Sequence, residues 1–215
     1  MLLKILSLQR GLVKWTGEGL PWRGIRMAFL KQKELEAMGF KTLGLNVQIS
    51  DKASIYNCDQ IEIGDNSRVD DFCVLSGQIK IGRNVHITPM CLLAGGELGL
   101  VIEDFIALAY GVKVFTQSDD YSGETMTNST VPKKFKKEIK LSVKIEKHSI
   151  IGASSVIMPG VIIKEGTSVG ANSLILKSTD SWSIYAGSPA KKIKARKKDL
   201  LQLEKKYLES EGGFV

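Results

Sequence analysis

Two histidines, His86 and His148, are the only side chains of this 215-residue sequence whose ordinary pKa lies near neutrality, so imidazole proton transfer must use one of them. Acids and amides gather elsewhere. In "VFTQSDDYSG" (114 to 123), Gln117, Asp119, Asp120 and Tyr121 stand among small polar neighbours. A carboxylate there can hydrogen-bond hydroxyls, orient His86, or take a proton itself where desolvation raises its pKa. The same letters also spell a turn, because Ser, Asp and Gly favour one locally. A third group is basic: Lys191, Lys192 and Arg196 in "AKKIKARKKD" (190 to 199) offer charge-assisted hydrogen bonds to phosphates, or else solvate a helix. No metal site is expected, since Cys58, Cys73 and Cys91 lack a paired-ligand spacing and there are only two histidines.

The elements that must position these residues follow from a repeat. From Ile63 the chain divides into sixes, led by Ile63, Val69, Leu75, Ile81, Ile87 and Leu93, and the pattern returns at Ile145, Ile151, Ile157, Ile163, Val169 and Ile175. A period of six is too sparse for an amphipathic helix and too long for strand alternation. Three hexads make a triangular coil of 18 residues, with each lead residue facing a narrow axis and stacking on the residue 18 places on. His86 precedes a lead residue and therefore points outward. Gly64, Gly82, Gly152 and Gly170 each follow one, at tight corners.

The expected fold is all-β. Residues 1–43 are read as an N-terminal helical cap, with "IRMAFLKQKELEAMG" as a helix stopped by Gly39, covering edge strands that an open coil would expose. Residues 44–190 are the repeat domain, with an excursion loop at about 115–144, and residues 191–215 are a basic C-terminal helix and tail. The net charge of +7 admits nucleic acid, but the lysine clusters carry no recognisable nucleic-acid motif, and none is expected as a partner. The odd cysteine count and the lack of a long apolar run fit a cytoplasmic protein. In an alternative, "MLLKILSLQRGLVKW" lies on the inner membrane face as a peripheral contact.

The hexads, and above all "IGASSVIMPGVIIKEGTSVGANSLILKSTDSWSIYAGSPAKKIKA" (151 to 195), resemble the hexapeptide-repeat acyltransferases. That resemblance implies a left-handed parallel β helix, a homotrimer, and acetyl-CoA as co-substrate. It places Gly152, Ala153, Ser154, Gly170 and Ala171 along the cofactor groove and Ala186, Gly187, Pro189 and Ala190 at its closing end, with Lys191, Lys192 and Arg196 at the nucleotide phosphates. The loop start is similar to the galactoside acetyltransferase type, in which a catalytic histidine stands where this chain has Gln117. Glutamine cannot act as a base. "VHITP" is similar to a motif of nucleotide-amino-sugar N-acetyltransferases, whose histidine lies near the thioester. The catalytic candidates are accordingly His86, Asp119 and Asp120, with Gln117 and Tyr121 at the acceptor, Tyr121 stacking on a pyranose face. The implied function is O-acetylation of a small-molecule or lipid-linked sugar, in cell-surface polysaccharide biosynthesis. The alternatives are N-acetylation of a nucleotide-linked amino sugar, whose amine needs no strong base, and a non-catalytic acetyl-CoA-binding relative. A zinc carbonic anhydrase on the same solenoid is excluded, because it requires three histidines.

Overall fold

The computed structural model describes residues 29–212. The stretch "MLLKILSLQRGLVKW" and the first four residues of the expected N-terminal helix, 25–28, lie outside the described residues. The chain winds as a left-handed parallel β helix of triangular cross-section. Three columns of aliphatic residues fill its axis, each residue in register with the one a coil away. The first column is Leu43, Ile63, Ile81, Ile102, Ile145 and Ile163. The second is Ile49, Val69, Ile87, Leu108, Ile151 and Val169. The third is Ile55, Leu75, Leu93, Val114, Ile157 and Ile175. All twelve lead residues read from sequence are buried. Two further coils, led by Leu43 and Ile102, were hidden because their spacing to the next coil is not 18.

Those departures share a location. Successive column residues are six apart at every step except three, all where the chain passes from the third column back to the first. Ile55 to Ile63 spans eight residues, Leu93 to Ile102 nine, and Val114 to Ile145 thirty-one. Extra chain is thus extruded at one corner while the axis keeps its registry. The strands Val74–Ile81 and Leu92–Ile102 run around this corner without a break.

The corner glycines work by close approach. A Cβ on Gly64 would meet the backbone of Gly82 at 2.6 Å, and one on Gly152 would collide with the Gly170–Ala171 peptide. Left-handed backbone falls instead three places after a lead residue, at Asn46, Asn66, Asn84, Phe105 and His148. Asparagine tolerates this region better than most residues.

The ends differ from expectation. The helix α1 spans only Gln32–Ala37, and Thr42–Leu43 already forms the first strand, so the cap does not extend to residue 43. Leu35 of α1 is fully buried and joins the axial core at its open end. At the other end, Ser183–Gly187 pairs antiparallel with Ala190–Ala195 around a cis Ser188–Pro189 peptide. The basic cluster therefore begins on a strand, and the C-terminal helix α2 starts only at Leu200, ending at Gly212. Among the described residues no helix is long and apolar enough to cross a membrane.

Ile157→Ala, deep in the third column, is expected to destabilise the protein by about 3 kcal/mol through lost burial and a residual cavity. Ile150→Ala, at a 41% exposed position on the outer face, should cost about 0.5 kcal/mol or less. Urea unfolding of the two variants checks the difference.

Candidate active site

The largest extrusion is an ordered hairpin. Gln117–Ser118 pairs antiparallel with Ile139–Lys140 to close its neck, and Leu141 N donates to Thr116 O at 2.9 Å. The neck is tied to the nine-residue extrusion: Thr116 N and Oγ1 both donate to Ala94 O, and Lys140 Nζ reaches Glu97 Oε1 at 2.9 Å. Folding back, the loop encloses a pocket of about 380 Å³ against the outer face of the third column. Val74, Leu92 and Phe115 form its apolar wall, while Gln117, Ser118 and Asp119 supply polar groups.

The two acids have different employment. Asp119 lines the pocket, with Oδ2 accepting from Asn128 N at 3.1 Å. Asp120 faces into its own turn, accepting from Ser122 N at 2.8 Å and from Thr125 N and Oγ1 at 3.0 and 2.9 Å. Hydrogen bonds from Ser122, then from Thr125, hold its carboxyl down at about 2. That shift is the reverse of what a base at this position needs, so the expected catalytic role of Asp120 gives way to bracing the loop. Tyr121 is 90% exposed and takes no part in the pocket, because the Asp120 turn directs it outward. Lys136, which the sequence offers only as one lysine of the basic run "PKKFKKEIK" (132 to 140), is buried in the pocket wall and paired with Glu138 at 2.8 Å. The signal for that pairing is a lysine–glutamate alternation in the loop's return strand.

His86 lies on the outer face of the second column, in register with Arg68 and Ala107. Its orienting acid is neither Asp119 nor Asp120. Nε2 lies 2.9 Å from Oδ2 of Asp70, whose side chain is only 4% exposed and whose Oδ1 accepts from Arg68 Nε at 2.6 Å. Asp70 was legible in principle. A pitch of 18 residues places Arg68 beside His86, and Asp70 stands two places on. The other histidine is structural: buried His148 stacks on Phe105 and meets Glu204 of α2 at 3.1 Å.

At the closing end, Gly152, Gly170 and Ala186 form one column of small residues, and a Cβ on Gly170 would lie 3.0 Å from that of Ala186. Ala153 and Ala171 follow at the same corner, with Ser154 exposed beyond. Pro189, Ala190, Lys191 and Lys192 line a cavity of about 440 Å³ with Tyr185, and Gly187 opens the hairpin turn next to it. Arg196 does not join them. Its Nη1 donates to His148 O and Gly166 O at 2.7 and 3.0 Å, and burial pushes its pKa down, so its charge is spent inside the fold instead of at a phosphate. Lys192 is paired with Asp180 at 2.9 Å, which raises its pKa. Among the described residues no cluster of His, Cys, Asp or Glu could hold a metal ion.

Because the Asp120 carboxyl titrates below the usual aspartate value of about 3.9, its contribution to loop order is complete above that pH and is lost as pH falls toward about 2. Amide hydrogen exchange at Ser122 and Thr125 should therefore stay protected from pH 7 to pH 4 and lose protection nearer pH 2. Asp120→Ala should remove it even at pH 7.

Comparison with known proteins bears on this geometry. The family described as bacterial transferase hexapeptide (six repeats) matches residues 142–177. A dTDP-4-amino-4,6-dideoxy-D-glucose acyltransferase of Escherichia coli is 40% identical over 180 residues, covering 83% of this chain and 94% of that protein. AntD, an N-acyltransferase from Bacillus cereus, has a crystal structure in complex with dTDP and 3-hydroxybutyryl-CoA. It superposes with a TM-score of 0.85 at 45% identity, over 86% of this chain and 98% of that one. A probable macrolide acetyltransferase of Lysinibacillus sphaericus is 35% identical over 121 residues, 49% of this chain and 67% of that protein. With the coil geometry, the extruded loop and a relative matched over nearly its whole length, this chain belongs to the hexapeptide-repeat acyltransferases.

Proposed function

We propose that the protein transfers an acyl group from an acyl-CoA to the amino group of a dTDP-linked amino sugar. The carrying observation is the loop pocket itself: its lining presents two carboxylates, Asp119 and the Lys136-paired Glu138, and no histidine. A sugar hydroxyl needs a base to become a nucleophile, whereas an amine attacks in its neutral form. Gln117 is then no defect. The E. coli and B. cereus relatives, an amino-sugar acyltransferase and an N-acyltransferase seen with dTDP, support the same choice. N-acylation accordingly replaces O-acetylation of a polysaccharide hydroxyl as the preferred reading. An N-acylated nucleotide sugar is still a building block that glycosyl transfer can consume.

In this reading Asp119 accepts a hydrogen bond from the amine and turns its lone pair toward the thioester carbonyl. The C–N bond forms, the tetrahedral adduct collapses with loss of the C–S bond, and the nitrogen's proton ends on the departing thiolate. His86, held by Asp70, is assigned to the thioester side across a subunit boundary, where it can relay that proton. The pantetheine arm runs along the Gly152–Gly170–Ala186 column, whose missing side chains admit close approach, and Lys191 meets the nucleotide phosphates. The assembly is a trimer, with the exposed corner residues Phe72 and Met90 in its interface.

With a dTDP-linked amino sugar as acceptor, Asp119→Asn should lower kcat by about a hundredfold, and His86→Ala by less than tenfold if the amine enters neutral. Turnover of a sugar lacking the amine, or full activity in Asp119→Asn, would overturn the proposal. Lys191→Ala should raise KM for the acyl-CoA by about threefold to tenfold at unchanged stability. Arg196→Ala should do the reverse, lowering Tm and sparing KM.

A further inference from the structure

The loop pocket does not end at Gln117. Beyond that side chain lies a second chamber of about 310 Å³, lined by Asn57, Gln60, Ser76, Glu97 and Gln117 over a floor of glycine backbone. Gln117 belongs to both chambers, its Oε1 standing 3.4 Å from where a Cβ on Gly96 would be. Each of the three extrusions supplies part of the wall. Asn57 and Gln60 come from the eight-residue passage, Gly96 and Glu97 from the nine-residue one, and Gln117 from the start of the long one. The floor is flat because Gly77 and Gly96 stack, a Cβ on the first falling 2.5 Å from the amide nitrogen of the second.

The chemistry of the lining is narrow. Three carboxamides and a hydroxyl each offer donor and acceptor together. None of the lining residues is cationic, which disfavours a phosphate. The only acid, Glu97, is engaged by Lys140, which holds its carboxyl below the usual range. Such a surface suits a neutral group that presents donors and acceptors side by side. We propose that this chamber is a recognition subsite for an uncharged, hydrogen-bonding part of the acceptor, a pyrimidine edge or pyranose hydroxyls, with Gln117 as the partition from the amine end. The proposal rests on the acyl-transfer reading for where the amine lies.

Two variants test it without touching the core. Gln60→Trp, on an exposed turn, fills the chamber, and Asn57→Gly removes one carboxamide while keeping the left-handed backbone at φ 59°. In calorimetric titration with a dTDP-linked amino sugar, Gln60→Trp should raise Kd by about tenfold or more and Asn57→Gly by about threefold, with Tm unchanged. Titrations with dTDP alone and with the free amino sugar separate the sources: loss confined to dTDP assigns the base, and loss confined to the sugar assigns its hydroxyls. Affinities within twofold of wild type in both variants, or a wild-type protein that binds none of the three ligands, would overturn the subsite. The readout needs no turnover. Wild type that binds but acylates no amine leaves the subsite standing and removes the acyl-transfer reading. A dead Asp119→Asn beside an unaffected Gln60→Trp does the opposite.

Discussion

Everything in this molecule depends on axial registry. Each coil must set its three aliphatic residues directly on those of the coil before, because the interior is one side chain wide and has no slack to absorb a slip. A one-residue shift would turn an isoleucine outward and a polar neighbour inward on every face after it. The backbone ladder and the buried corner hydroxyls enforce the same alignment. Ser67 Oγ donates to Gly82 O at 2.7 Å and Ser155 Oγ to Gly170 O at 3.0 Å, and no buried side-chain polar atom among the described residues lacks a partner. Registry also explains why additional chain leaves only at a corner.

The functional surface follows from that constraint. The three extrusions leave at the same edge, so they stand side by side along the solenoid and can touch. Lys140 bridges Glu97 and Glu138, Thr116 caps Ala94, and Gln117 leans on Gly96. Loops that would be mobile singly become a wall jointly, and Asp120 fixes the tip by satisfying its turn. The pocket-lining Asp119 is positioned by this mutual support, while the repeat supplies an apolar backing through Val74 and Leu92.

Sequence reasoning reached the coil columns because burial imposes a strict period and aliphatic residues mark it. It also placed the excursion and Asp119 in it. The coils led by Leu43 and Ile102 escaped because the passages beside them are two and three residues too long for the period. The roles within the site were harder to read. "SDDYSG" gives Asp119 and Asp120 the same local grammar, and only the fold of the turn sends one to the pocket and the other to Ser122 and Thr125. Asp70 escaped because its contact with His86 crosses coils. Arg196 looked like a phosphate ligand on charge alone, whereas its use is set by two carbonyls, of His148 and Gly166, brought together only at the closing end.

The extrusion corner carries a consequence for how such a protein can change over generations. Residues added or lost there alter neither the axial columns nor their hydrogen-bond ladder, and lengthening a surface loop costs little, about 0.6 kcal/mol for each doubling. The stability of the solenoid and the shape of its loop pocket are therefore nearly independent variables under selection. A lineage can trial new wall heights at one edge without reopening the problem of how the chain folds.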